Sequence, residues 1–113
     1  MNLHRTGRAR RSIVTCIAAI AAWSGGAIVY ADGKSVYERT CVACDGAGVA
    51  GAPRTGDIEA WKSRIGTGME ALVASVINGV QGYTGMMPPR GGNPDLSDAD
   101  IDAAVTYMVD ESQ

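Results

Sequence analysis

Cys41 and Cys44 stand three residues apart in the stretch CVACDG, residues 41–46. Side chains at that spacing in one helical turn lie on the same face, so both thiols point the same way. Three chemistries use such a pair: thioether attachment to the two vinyl groups of a haem, a share of a zinc site, and a redox-active dithiol. Haem attachment requires histidine as the next residue, projecting towards the iron. That residue is Asp45, and the single histidine of the chain is His4. Further along, Met87 is followed by Pro88 and Pro89. A methionine thioether is soft and neutral, and as an axial haem ligand it raises the reduction potential. Two prolines restrict the backbone to extended forms suited to presenting it. Met86 is its local competitor, whereas Met69 and Met108 sit at helical spacing and read as core.

The elements that must position these groups read as helices separated by glycine loops, with no convincing strand. Residues 33–44 form the first, with Val36, Tyr37 and Thr40 on one face leading into the cysteines. Residues 46–56 are a loop of small residues. Asp57 is the expected N-cap of a helix carrying Ile58, Trp61 and Ile65 on one side. A third helix presents Leu72, Val73, Val76, Ile77 and Val80 as a stripe and ends near Gly79. The last is capped by Ser97, carries Asp98 and Asp100 in its first turn, and buries Ile101, Ala104, Val105 and Met108. The acidic run of Asp95, Asp98, Asp100 and Asp102 could suggest calcium, but residues that begin a helix are better explained as caps. Four short helices round a small core is the expected fold.

The first 31 residues read as a leader. Residues 1–12 hold four arginines and no acid, residues 13–23 are uncharged and apolar, and small residues lead to Ala31. A secretory signal peptide cleaved after Ala31 accounts for this pattern, with Val29 and Ala31 forming the peptidase site. An uncleaved anchor is the rival, since residues 13–31 are barely long enough to span a bilayer. The remaining 82 residues keep all 12 acids but 6 of the 10 bases, a net charge of −6. Such a surface argues against nucleic acid as a partner, and nothing after Ala31 suits stable membrane insertion. With no Phe, one Trp and three Tyr, this segment has a poor core, and domains of its size often depend on a metal, a disulfide or a cofactor.

Taken together, DGKSVYERTCVAC, GAGVAGAPRTGD with Trp61 and Arg64, GMMPPRGGNPDLSD and IDAAVTYMV resemble the short class I cytochromes c of bacteria, most closely cytochrome c5. The resemblance runs from Gly33 to about Val109. It implies an all-α cytochrome c-like domain of about four helices around a haem pocket, in residues 32–113. It implies haem c held by thioethers at Cys41 and Cys44, Met87 as distal ligand, and Gly33 near Tyr107 where the first and last helices cross. Trp61 and Arg64 are most simply a packing aromatic and a solvated charge; the resemblance also sets this region beside a haem propionate, with which Arg64 could pair. It implies one-electron transfer among redox partner proteins of a respiratory chain, in the periplasm and without enzymatic activity. Asp45 departs from it. As a ligand, a carboxylate would favour ferric iron and lower the potential. Two other readings stand beside this one: a haem-free protein using Cys and Met as soft ligands for Cu(I), and a peroxidase-like haem with one axial position weak or open.

Overall fold

The computed structural model describes residues 32–113, so the leader read in residues 1–31 lies outside the described residues. The first helical run has three parts: α1 (Gly33–Val36), a π-helical turn (Tyr37–Cys41) and α2 (Val42–Asp45). They follow one another without a break. With α3 (Ile58–Ile65), α4 (Met69–Asn78) and α5 (Asp98–Asp110) they make the four helices expected.

The π turn was not anticipated, and it changes which side chains face inward. Five residues of regular α-helix, at about 100° each, would place Cys41 about 140° round from Val36. Here the Val42 N–H donates to the Tyr37 carbonyl, five residues back, and the wider turn brings Cys41 onto the same side as Val36 and Tyr37. All three are buried, while Thr40, the residue expected on that face, is only half-buried.

α1 crosses α5 at close range. A Cβ built on Gly33 would lie 2.1 Å from the Ala103 carbonyl oxygen and 3.3 Å from Tyr107 Cβ. The Tyr37 and Tyr107 rings meet beside this crossing, their centroids 5.2 Å apart and tilted by 50°. Ile101, Ala104, Val105, Met108 and Val109 of α5 pack with Val36, Tyr37, Cys41 and Trp61 to form the core.

The helix starts follow their sequence signals. Asp57 Oδ1 accepts from the Ala60 N–H at 3.0 Å, capping α3. Ser97 and Asp100 form a reciprocal capping box at α5: Ser97 Oγ accepts from the Asp100 N–H and Asp100 Oδ2 from the Ser97 N–H. Of the acidic residues there, Asp100 is engaged in capping, and the Ser97 hydrogen bonds lower its carboxyl below its ordinary range.

Three expectations are corrected. Ile58 lies in the first turn of α3 and is 54% exposed, so Trp61 is the residue through which that helix enters the core. Met69 begins α4 and faces solvent, whereas Met108 is core. Where no strand is expected, a small antiparallel ladder forms, β1 (Val80–Gln81) with β2 (Met86–Met87), pairing Val80 with Met87 and Gln81 with Met86. Val80 therefore leaves the α4 stripe and is exposed.

Candidate functional site

Cys41 and Cys44 occupy one turn at the junction of the π segment and α2, and both are free thiols. Cys41 is buried and Cys44 exposed. Burial, then the charges of Asp45 and Cys44, push the Cys41 thiol up to about 11, so it stays protonated at neutral pH. The two are not joined in a disulfide, and Cys41 is not a low-pKa redox thiol; one sulfur lies inside and the other at the surface.

Asp45 ends α2 and is half-buried. Its carbonyl accepts from the Thr55 N–H at 2.7 Å, tying the helix end to the loop that follows. Its carboxylate makes no hydrogen bond or ion pair among the described residues. Burial raises it to about 6, against the pull of the Arg64 charge. Arg64 itself donates through Nη1 to the Ala60 carbonyl at 2.6 Å. The Thr55 hydroxyl is buried and also lacks a hydrogen-bond partner. Trp61 Nε1 donates to the Arg54 carbonyl at 2.9 Å, bracing the same loop from the core side.

Met87 is positioned by the short hairpin. Side chains alternate along a strand, and here Met86 is 63% exposed while Met87 is half-buried. Gly79, at φ 80°, lets the end of α4 lie against this segment; a Cβ there would meet the Met87 carbonyl oxygen at 2.8 Å and the Pro89 nitrogen at 2.9 Å. Pro88 is extended as expected, whereas Pro89 opens a 3₁₀ turn over Pro89–Gly92. Arg90 then anchors the turn to the start of α5, through Nη1 to the Leu96 carbonyl at 2.8 Å and Nη2 to Asp98 Oδ1 at 2.6 Å. Thr84, in the hairpin turn, donates to the Ala50 carbonyl at 3.3 Å, joining this loop to the glycine loop after the cysteines.

Between these elements α4 offers Leu72, Val73, Val76 and Ile77, each packed on the core along one edge and only partly covered. The donor set suits two covalent attachments and one thioether ligand, beside apolar surface fit for a porphyrin face. It lacks an imidazole at residue 45. Sequence reasoning named these four residues; it missed Thr55 and the π turn, neither of which a side-chain pattern announces.

Comparison with known proteins bears on the family of the chain. Residues 29–108 match the family described as cytochrome c oxidase, cbb3-type, subunit III. Cytochrome c-555 of Chlorobaculum tepidum is 47% identical over 92 residues, which cover 80% of this chain and 85% of that one. Cytochrome c5 of Ectopseudomonas mendocina is 39% identical over 90 residues, covering 78% and 97%. A solved chain from the electron transfer complex of nitrite reductase with cytochrome c superposes with a TM-score of 0.65 at 41% identity, covering 72% of this chain and 94% of that one.

Proposed function

This chain belongs to the class I cytochromes c, and from that premise we propose that it carries its haem c on Cys41 and Cys44, with Met87 as an axial ligand, as an electron carrier of the cytochrome c5 and c-555 type. Haem c supplies a one-electron ferric–ferrous couple. The observation that carries the residue assignment is the hairpin alternation, which turns Met87 inward and Met86 outward.

The residues divide the work. The buried Cys41 and the exposed Cys44 offer one attachment point inside and one at the surface, which suits a group that is mostly enclosed with one edge towards solvent. Gly79, Pro88 and the Arg90 anchor hold the Met87 segment in place. A thioether held this way needs little rearrangement between oxidation states, and its softness favours the ferrous form and a higher potential. The Cu(I) alternative weakens on the same geometry, because alternation sends Met86 and Met87 to opposite faces.

Met87→Ala should abolish any sulfur-to-iron charge-transfer band and lower the midpoint potential, while Met86→Ala should leave both nearly unchanged. Absorption spectra and redox titrations of the two variants check this. The reverse outcome would move the ligand to Met86.

The surface suits a carrier rather than an enzyme. The loops at 46–53 and 80–89 contain no charged residue in a segment whose net charge is −6, and they expose Val49, Val80, Tyr83 and Met86. An uncharged apolar face of this kind suits brief contact with redox partner proteins, which we assign to a respiratory chain. No helix among the described residues is long and apolar enough to cross a membrane. The working form we propose is periplasmic and begins at Asp32 after removal of residues 1–31. Mass spectrometry of the exported protein should show that N-terminus; a full-length chain kept in the membrane fraction would instead mean an anchor.

A further inference from the structure

Met87 sits on a ladder too short to hold itself. β1 and β2 have two residues each, and a lone two-stranded hairpin is marginal in water even at ordinary length. A slip of one residue in such a pair turns every side chain to the opposite face. Here that would send Met86 inward and Met87 outward. The base of the hairpin is braced by the close approach of Gly79 to Met87 and Pro89. Its tip is braced separately. The Gly82 N–H donates to the Gly85 carbonyl at 2.8 Å, so Tyr83 and Thr84 form the tip. Tyr83 is fully exposed, whereas the Thr84 hydroxyl donates to the Ala50 carbonyl at 3.3 Å. A Cβ on Gly51 would overlap Thr84 Oγ1. A Cβ on Gly85 would lie 2.6 Å from Ala50 Cβ and 2.7 Å from the Ala50 carbonyl oxygen. Two loops 34 residues apart are therefore interlocked at backbone distance. Ala50 itself has φ 53°, in the left-handed region that a residue with a Cβ rarely adopts. Such a conformation persists where its surroundings over-determine it, and Thr84 and Gly85 are its partners across the loops.

We propose that Thr84 and Gly85 are positioning residues for Met87: by clasping Ala50 and Gly51 they fix the hairpin register that turns the Met87 side chain inward. The proposal rests on the assignment of Met87 as axial ligand made above. The clasp joins the loop that follows Cys44 directly to the strand that carries Met87, so the two sides of the candidate site are held to one another. The two residues have distinct parts. Thr84 supplies the hydrogen bond. Gly85 supplies room, because it has no Cβ to meet Ala50. Its own φ lies outside the left-handed region, so an alanine there is unstrained apart from that contact. Gly85→Ala is thus a wedge driven into the clasp.

The test is methionine footprinting of the exported protein with dilute hydrogen peroxide, which transfers one oxygen atom to a thioether and leaves as water. Mass spectrometry then reads each methionine separately. In the wild type Met86, 63% exposed, should oxidise well ahead of Met87, while Met108 in the core reports global opening. Thr84→Val keeps the shape of the side chain and removes the donor. It should raise Met87 oxidation about fivefold, as for the loss of one neutral hydrogen bond. Gly85→Ala should raise it about tenfold and lower Met86 oxidation as the register slips. Thr84→Ser keeps the hydroxyl and should restore the wild-type pattern. Met108 should be unchanged in all three. Equal protection of Met87 in the wild type, Thr84→Val and Gly85→Ala would overturn the proposal. A parallel rise at Met108 would also overturn it, by showing that the clasp supports the whole fold and not the register. Absorption spectra of the same samples separate this from the ligand assignment. A wild type that lacks a sulfur-to-iron charge-transfer band, yet protects Met87 until either variant opens the clasp, would remove the ligand reading and uphold the clasp.

Discussion

Gly33→Ala should lower the melting temperature by about 15 °C, one of the two largest effects expected of a single substitution here. The new methyl would sit 2.1 Å from the Ala103 carbonyl oxygen and 2.7 Å from its carbon. Both are backbone atoms in the middle of α5 and cannot rotate aside, so α1 must move away from the last helix. Overpacking of this kind costs about 1–3 kcal/mol and occasionally more. Alanine's better helix propensity returns at most about 1 kcal/mol. We expect a net loss near the top of that range because the crossing also carries the Tyr37–Tyr107 contact and the burial of Val36. In a domain of 60–100 residues each kcal/mol shifts the midpoint by about 4–8 °C. Circular dichroism melts of the two proteins test this, and a shift of only a few degrees would mean that the helices separate at little cost.

Asp45→His should produce the other large effect, in the opposite direction. The imidazole would complete an axial pair with Met87, and the variant should carry more haem per chain than the wild type. A ligand that engages only the folded state stabilises that state; a hundredfold gain in ligation strength is about 2.7 kcal/mol, or roughly 10–20 °C for a domain of this size. Haem stoichiometry and thermal melts of both proteins, expressed together with haem-attachment machinery, measure the difference. Equal haem content and equal melting temperatures would show that residue 45 does not limit the site.

Where the sequence was informative, the signal was a local and strongly directional one. Ser97 followed three residues later by Asp100 is a capping box, and α5 starts there with its apolar positions inward as their spacing predicts. Gly33 near Tyr107 followed from family resemblance, and the close approach is present. Other features lay below the resolution of a side-chain pattern. Strands of two residues carry no periodicity, so the alternation that separates Met86 from Met87 was invisible until the pairing was seen. Ile58 satisfied a helical spacing that its place in the first turn of α3 left facing solvent. The half-covered stripe of α4 was predicted in position, but the extent of its cover depends on contacts distant in sequence. Thr55 gave no signal because its meaning comes from the bond its amide makes to Asp45, ten residues earlier.

The π turn gives the first helix one residue to spare. A turn of this kind is equivalent to one residue inserted into a regular α-helix. Removing any one residue between Tyr37 and Cys41 would let the run close into uniform α-helix. Cys41 would then stand four positions from Val36, about 40° round the helix from it instead of about 140°, so both cysteines and Asp45 would keep the side they present now. The glycine loop at 46–56 has no repeat to keep in step and can also absorb a change in length. The three-residue step from Cys41 to Cys44 has no such reserve. Single-residue deletions scanned across 37–56 should therefore be tolerated ahead of Cys41 and in the loop, and should abolish haem attachment when they fall between the two cysteines.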